Sequence, residues 1–264
     1  MNHPLKTLDL LAQQIREMET ANRPTGESLS SGCASMDRCL PNRGYASGSM
    51  IELVRTVPGS GVSSLALMIA KQAIEKGKYL LVLDTQKQLY PPAIKSLGVP
   101  LERIIVLHPN NHTDAVWAMD QGLRCSAVGA VIAEIGHLED RVARRLQLAT
   151  EQGGGLGILL RDRFASKSHP SWADVQWLVR ESREAQEGTA SFRDASVDPP
   201  RWVDLMLTRC VGGRVGARLT IGIDSSGKWV EAPIKSKAYD EQASTLRLAA
   251  ELAKPANRRR EVAG

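Results

Sequence analysis

The sequence has few aromatic residues, few cysteines and no long hydrophobic run. Aromatic side chains make up 4% of the 264 residues, which argues against a platform on which nucleic-acid bases stack. The four cysteines form no C-x-x-C pair, so we predict neither a disulfide framework nor a metal site. No apolar run reaches the roughly 18 residues of a membrane-spanning helix. The first residues show no secretion signal, and we therefore expect a cytoplasmic protein.

The charge balance is mildly basic. Lys and Arg number 34 and Asp and Glu number 29, which gives a formal net charge of +5 at pH 7. Such an excess favours binding to nucleic acid or to an acidic partner. The excess is small, however, and part of it lies in the run Arg258-Arg259-Arg260. Net charge alone therefore does not decide the class of function.

Short apolar runs alternate with amphipathic stretches between residues 28 and 160. A buried parallel strand is apolar throughout, and a helix between two such strands covers one face of the sheet. The runs predicted as strands are 50–54, 79–83, 104–107, 130–133 and 156–160, and the stretches predicted as helices are 63–75, 91–97, 113–125 and 139–151. The pattern predicts an α/β fold whose parallel sheet is flanked by helices.

The chain divides into regions of different composition around this core. Apolar residues at helical spacing predict an N-terminal amphipathic helix within 1–24, before a core that spans 28–182. The polar stretch 183–200 is predicted as a flexible loop. Alternating apolar residues predict a β-hairpin extension at 201–233, and the spacing in 239–264 predicts a C-terminal helix followed by a basic tail.

A glycine-containing loop joins the first predicted core strand to its helix. Strand, glycine loop and helix in this order are the setting of a P-loop, in which backbone N–H groups hold phosphate. Aligning Gly61 with the second glycine of G-x-x-x-x-G-K-[ST] places Val62 at the lysine and Ser63 at the Mg²⁺-binding hydroxyl. Thr56 then replaces the first glycine, and the lysine that neutralises the phosphates is absent. The segment is either a modified phosphate loop or a turn without a ligand.

The motifs around this loop resemble those of the RecA family. They follow the order and spacing of the family signature before the P-loop, of the stretch after the second core strand, and of the Walker B strand. The segments that carry the resemblance are 31–32, 36–37, 51–52, 83–91 and 130–134. The resemblance spans about residues 29–182 and implies a RecA-like P-loop core.

The same resemblance implies that the catalytic machinery of the family is dismantled in this chain. The activating glutamate aligns with Gln86, which cannot accept a proton from water, and the Walker B aspartate aligns with Glu134. We therefore expect no ATPase turnover, no catalytic residue and no cofactor, while residual binding of ATP and Mg²⁺ stays open. The residues of this vestigial nucleotide site are Thr56, Gly59, Gly61, Val62, Ser63, Ser64, Gln86 and Glu134.

Two segments after the core, 172–175 and 207–213, carry a more specific resemblance. They are similar to the strands that follow the core in the ImuA family, RecA-related accessory proteins of a bacterial damage-induced mutagenesis cassette. The resemblance implies a non-hydrolysing accessory or scaffold protein in SOS-induced translesion DNA synthesis. It implies as partners an ImuB-like polymerase homologue, an error-prone polymerase III alpha-type subunit and RecA.

Several cations are candidates for contact with single-stranded DNA. Some lie where RecA-family proteins have a DNA-binding loop, and the others form the basic tail. These residues are Arg161, Arg163, Lys167, Arg258, Arg259 and Arg260. Two alternatives to the scaffold role stay open. One is a divergent DNA-dependent ATPase that takes its cation from another residue, and the other is a plain DNA-binding module.

Overall fold

The computed structural model describes residues 27–75, 77–163, 171–182 and 200–231. In chain order the strands are β1 (Ser28–Leu29), β2 (Tyr45–Ala46), β3 (Met50–Arg55), β4 (Tyr79–Leu83), β5 (Ile104–Leu107), β6 (Val128–Glu134), β7 (Leu156–Asp162), β8 (Val175–Glu181), β9 (Arg201–Cys210), β10 (Arg218–Ile223) and β11 (Trp229–Glu231). The α-helices are α1 (Ala34–Asp37), α2 (Val62–Ile74), α3 (Pro91–Ser96), α4 (His112–Arg124) and α5 (Asp140–Gly153). None of the helices in these ranges is both long and apolar enough to cross a membrane.

Most of the strands form one mixed sheet. Across the described residues its order is β11-β10-β9-β8-β3-β7-β6-β4-β5, and β1 pairs with β2 in a separate small ribbon. The strands from β8 to β5 in this order run parallel, and the pairs β8–β9, β9–β10 and β10–β11 are antiparallel. The predicted α/β class with a parallel core sheet and flanking helices is confirmed. The strands β4 and β5 begin and end at the predicted residues.

The hydrophobic core lies on both faces of the sheet. On one face α2 buries Leu65 and Ile69 completely, because its apolar residues recur at helical spacing. On the other face α4 and α5 cover the sheet through residues such as Met119 and Leu146, which are equally buried. The central strands are apolar on both sides because helices cover both faces of the sheet.

The predicted hairpin is continuous with the main sheet. β9 pairs with β8 in antiparallel register, from Val175 opposite Cys210 to Glu181 opposite Val203. β10 then returns beside β9. The C-terminal strands therefore extend the core sheet sideways and bring the start of β9 toward the end of β3. The helices predicted within 1–24 and 239–264 and most of the loop predicted at 183–200 lie outside the described residues.

The predicted DNA contact of Arg161 is wrong. β7 continues past the predicted end at residue 160 to Asp162, so Arg161 is part of the strand, and it is 4% exposed. Its Nη1 donates to Glu52 Oε1 at 2.7 Å, and Glu52 is 1% exposed. Gln176 Nε2 at 2.8 Å and the Ser171 hydroxyl donate to the other carboxylate oxygen. A guanidinium enclosed with its counter-ion in this way cannot reach a phosphate.

Replacing Arg161 by Ala is expected to destabilise the protein by about 3–5 kcal/mol, because Glu52 would remain buried without its cation. Urea unfolding followed by circular dichroism measures the loss. Arg163→Ala, at an exposed position two residues further on, is the control and is expected to change stability by less than about 0.5 kcal/mol. Equal losses in the two variants would contradict the buried ion pair.

Candidate functional site

The loop between β3 and α2 has the backbone of a strand-to-helix phosphate loop. Gly59 and Gly61 both have a positive φ, +81° and +85°, and Gly61 is the N-cap of α2. The N-terminus of α2 therefore opens at the carboxyl edge of the parallel sheet, where α/β proteins bind ligands. Thr56 is held to β8, since its N–H donates to the Val179 carbonyl at 3.2 Å. The predicted location of the loop is thus correct.

The side chains of the loop differ from those of a working nucleotide site. Val62, at the position of the lysine, is 4% exposed and packs into the core. Ser60 is 1% exposed, and its hydroxyl has no hydrogen-bond partner among the described residues. Ser63 is exposed and Ser64 is half-buried at the start of α2. Two hydroxyl groups therefore remain accessible at the helix end, and the loop itself contributes no cation beyond Arg55 at the end of β3.

The start of β9 packs against this loop. The guanidinium of Arg201 donates to the Gly59 carbonyl oxygen. A Cβ on Gly61 would lie 2.8 Å from Val203 Cγ1, closer than real Cβ atoms approach, and 3.4 Å from Arg201 Nε, which is an ordinary contact. Gly61 is required both for its positive φ and for this close approach. The C-terminal strands therefore hold the phosphate-type loop from one side.

Arg55 links the carboxyl ends of three parallel strands. It is the last residue of β3, and its side chain is 20% exposed. Its Nη2 lies 2.5 Å from Glu134 Oε1 at the end of β6. The same guanidinium binds both carboxylate oxygens of Asp162 on β7, through Nε and, at 3.2 Å, through Nη2. Asp162 is the register partner of Arg55, so the bidentate contact follows from the pairing of β3 with β7.

The carboxylates hold Arg55 in its charged form. The hydrogen bonds that Arg55 donates to Asp162, and next those to Glu134, raise the pKa of the guanidinium above its usual value, against an opposing effect of burial. Glu134, the residue aligned with the Walker B aspartate, is therefore engaged by a cation of the protein itself. A divalent ion at this carboxylate would compete with the guanidinium of Arg55, which donates to Glu134 Oε1.

Gln86 lies in the turn after β4, away from the loop. β7 and β6 separate β3 from β4, a distance of roughly 14 Å across three strand spacings. The turn is held by Asp84, whose carboxylate accepts the N–H groups of Gln88 and Leu89 at 3.0 and 2.9 Å. Gln86 is exposed. It shares the carboxyl edge of the sheet with Glu134 but is not brought into contact with it.

Of the remaining candidates for DNA contact, only Arg163 falls in the described ranges, where it is exposed directly after β7. Lys167 and the three arginines of the tail lie outside those ranges. Among the described side chains, no group of three His, Cys, Asp or Glu residues is placed to hold a metal ion. DNA binding by Arg163, Lys167 and the three arginines of the tail stays a prediction.

Three residues that shape the site were not predicted as part of it: Arg55, Asp162 and Arg201. Arg55 and Asp162 are charged residues at the ends of otherwise apolar strands, and such residues meet at one edge of a parallel sheet. That pattern could have found them. Arg201 could not have been found in this way, because its position depends on the pairing of β9 with β8, which no local signal specifies.

Gly61→Ala is expected to cost about 2–4 kcal/mol of unfolding free energy, because the new Cβ meets Val203 in addition to the strain of a positive φ. Gly59→Ala is the matched control. It has nearly the same φ but nothing within 4 Å of the new Cβ, so about 1–2 kcal/mol is expected. Urea denaturation of both variants measures the difference, and equal costs would show that β9 does not pack on the loop.

Sequence comparisons relate the chain to RecA and to a RecA-related protein. The profile of the RecA N-terminal domain family matches residues 12–142. Protein ImuA of Caulobacter vibrioides (strain NA1000 / CB15N) is 28% identical over 213 residues, which are 75% of this chain and 85% of that protein. Protein RecA of Rhodopirellula baltica is 27% identical over 156 residues, 58% of this chain but 40% of the length of that RecA.

The fold is shared with a solved recombinase. The crystal structure of the RadB recombinase superposes with a TM-score of 0.58 at 15% identity, and the match covers 78% of this chain and 100% of that one. The similarity to ImuA extends over most of both chains, whereas the similarity to RecA is confined to the part that includes the P-loop core. The chain is therefore an ImuA-like protein of the RecA superfamily.

Proposed function

We propose that this chain is a non-hydrolysing, RecA-like accessory protein that serves as a scaffold in SOS-induced translesion DNA synthesis. The observation that carries the proposal is the ion cluster of Arg55 with Glu134 and Asp162. Hydrolysis of ATP by a P-loop protein needs Mg²⁺ beside the phosphates and a carboxylate that holds the ion through its water shell. In this chain the corresponding carboxylate already has a cation.

The loop supports the same proposal. A P-loop lysine contributes a positive charge at the β- and γ-phosphates, and Val62 offers an isopropyl group that is buried in the core instead. The residue aligned with the activating glutamate, Gln86, is exposed and lies across two strands from the loop. Three steps are therefore each weakened at a different residue: phosphate binding at Val62, metal binding at Glu134 and the activation of water at Gln86.

The role in DNA damage and the partners rest on the similarity to Protein ImuA. We propose that the chain acts with an ImuB-like polymerase homologue and an error-prone polymerase III alpha-type subunit in the cytoplasm, with RecA and single-stranded DNA as further partners. A chain that has lost nucleotide turnover but kept a large, rigid sheet offers surfaces for such partners without a conformational cycle driven by hydrolysis.

One observation favours a second candidate, a divergent DNA-dependent ATPase. Arg201 reaches the loop from β9 and bonds to the Gly59 carbonyl, so a cation is present close to the place of the missing lysine. In this alternative Arg201 would turn to the phosphates when ATP binds. The two candidates differ in whether the chain releases phosphate and in whether that release depends on Arg201.

We expect no phosphate release from ATP above background, with or without single-stranded DNA, in a malachite-green assay of the full chain with Mg²⁺. Ser63→Asp, which places a negative charge where phosphate would bind, supplies the background. Turnover of the unmodified chain that exceeds this variant and disappears in Arg201→Ala would overturn the scaffold proposal in favour of the ATPase.

Arg55→Gln is expected to create a divalent-cation site, because Glu134 and Asp162 would lose their shared counter-ion. Titration with Mn²⁺, with free ion followed by electron paramagnetic resonance, is expected to show at least about tenfold tighter binding to this variant than to the unmodified chain. Arg163→Gln, which removes an exposed arginine nearby, is the control for the change in net charge. Equal Mn²⁺ binding by all three proteins would contradict a role of Arg55 as the internal cation.

A further inference from the structure

The outer side of the neighbouring helices α4 and α5 carries an exposed tryptophan. Trp117, in the middle of α4, is 64% exposed, and Leu148 of α5 is 46% exposed. Both helices bury their opposite side against the sheet, through residues such as Met119 and Leu146. Tryptophan is on average well buried, so an exposed one in a helix indicates a surface that a partner covers. We call this surface the α4–α5 face, and its members are Trp117, Gln121, Arg124, Arg141, Arg144, Arg145 and Leu148.

An ion pair between the two helices gives the separation of the two apolar side chains. Asp120 Oδ1 on α4 lies 3.3 Å from Arg145 Nε on α5, so these residues stand at a similar height. The helices run parallel, because each leads into a strand of the parallel pair β6 and β7. Trp117 lies three residues before Asp120, and Leu148 lies three residues after Arg145. At 1.5 Å per residue they are roughly 9 Å apart along the helix axes.

Positive charge is concentrated between these two side chains. Arg124 and Arg145 share one carboxylate, that of Asp120, at 2.9 and 3.3 Å. Arg141 and Arg144 are exposed, and among the described residues neither has a carboxylate partner. The other acidic residues of the two helices lie toward the helix ends, namely Asp114, Asp140 and Glu151. The middle of the α4–α5 face is therefore complementary to acidic side chains.

The arginines of α5 do not stabilise the helix that carries them. Arg141 stands in the first turn of α5, where the helix dipole disfavours a cation. Arg141 and Arg145 are like charges one turn apart, and such pairs destabilise a helix. Local conflicts of this kind are expected where a surface serves a function other than folding.

We propose that the α4–α5 face binds an amphipathic helix of a partner protein, one that has two apolar residues seven positions apart and acidic residues between them. Residues at this spacing are about 10.5 Å apart along a helix, close to the separation of Trp117 and Leu148. Carboxylates one turn inward from each apolar residue then meet Arg141 and Arg145. Tryptophan and arginine are the residue types that contribute most at protein interfaces. The proposal goes beyond the scaffold function and does not depend on whether the chain hydrolyses ATP.

A protein helix fits this face better than single-stranded DNA does. Surfaces that bind single strands present several aromatic rings, on which successive bases stack. The α4–α5 face has one aromatic ring, that of Trp117, and its second apolar contact is the aliphatic side chain of Leu148. Two apolar contacts separated by a basic strip correspond to one side of an acidic amphipathic helix.

Fluorescence anisotropy of the full chain with a labelled peptide tests the proposal. The probe is an alanine-based helical peptide with two leucines seven positions apart and glutamates between them. We expect a dissociation constant on the order of 10–100 µM, and at least about tenfold weaker binding after Trp117→Ala. Tyr90→Ala is the matched control, since it removes an equally exposed aromatic ring before α3, and it should bind like the unmodified chain. No binding by the unmodified chain, or equal affinities of the two variants, overturns the proposal.

A charge reversal tests the acidic character of the partner and keeps the result independent of folding defects. Arg141→Glu should bind the glutamate peptide at least about tenfold more weakly and should gain affinity for the same peptide with lysines in place of the glutamates. Arg214→Glu, at an exposed arginine between β9 and β10, is the control for net charge, and circular dichroism confirms that both variants are folded. Equal peptide binding by these two variants overturns the proposal. So does an oligothymidylate that binds more tightly than the peptide and is lost in Trp117→Ala, because the face would then be a site for single-stranded DNA.

Discussion

The contact of Arg55 with Asp162 and Glu134 organises the charged edge of this RecA-like core, at the carboxyl ends of β3, β6 and β7. The carboxyl ends of parallel strands concentrate charged side chains beside the phosphate loop, and in this chain one arginine is shared between two carboxylates there. Arg55, on the strand next to that of Asp162, binds this carboxylate with two hydrogen bonds. Because Arg55 is part of the chain, it is always present there, unlike a soluble ion.

The C-terminal strands pack against one side of the phosphate-type loop. β9 extends the sheet beyond β8 and brings Arg201 and Val203 against Gly59 and Gly61. Backbone that would wrap around phosphate oxygens is therefore in contact with protein on one side. Together with the burial of Val62, this contact holds the helix end of the loop, whereas Val57 and Gly59 remain exposed.

Much of the fold could be predicted from the sequence, because its signals are local. Continuous apolar runs predicted β4 and β5 to the residue, and the glycine pattern located the loop before α2. Arg161 was predicted wrongly because a charge after an apolar run looked like the beginning of a loop. In the structure β7 continues, and Glu52 on β3 supplies a buried partner that is 109 positions away in the chain.

The rest of the site depends on which strands are neighbours. Glu134 was predicted as a Walker B counterpart, but its pairing with Arg55 requires that β7 lie between β3 and β6, and the position of Arg201 requires the pairing of β9 with β8. Strand order and register arise from the packing of the whole core, so they leave no mark on a short segment. Charged residues at strand ends were visible in the sequence, and their partners were not.

The most direct test of this account is a crystal structure of the full chain grown with Mg²⁺ and a non-hydrolysable ATP analogue. The account predicts that Arg55 keeps its contacts with Glu134 and Asp162, with no metal at either carboxylate, whether or not the analogue lies on the loop. A Mg²⁺–nucleotide complex held by Glu134, with Arg55 turned away and a water aligned on the γ-phosphate, would contradict it.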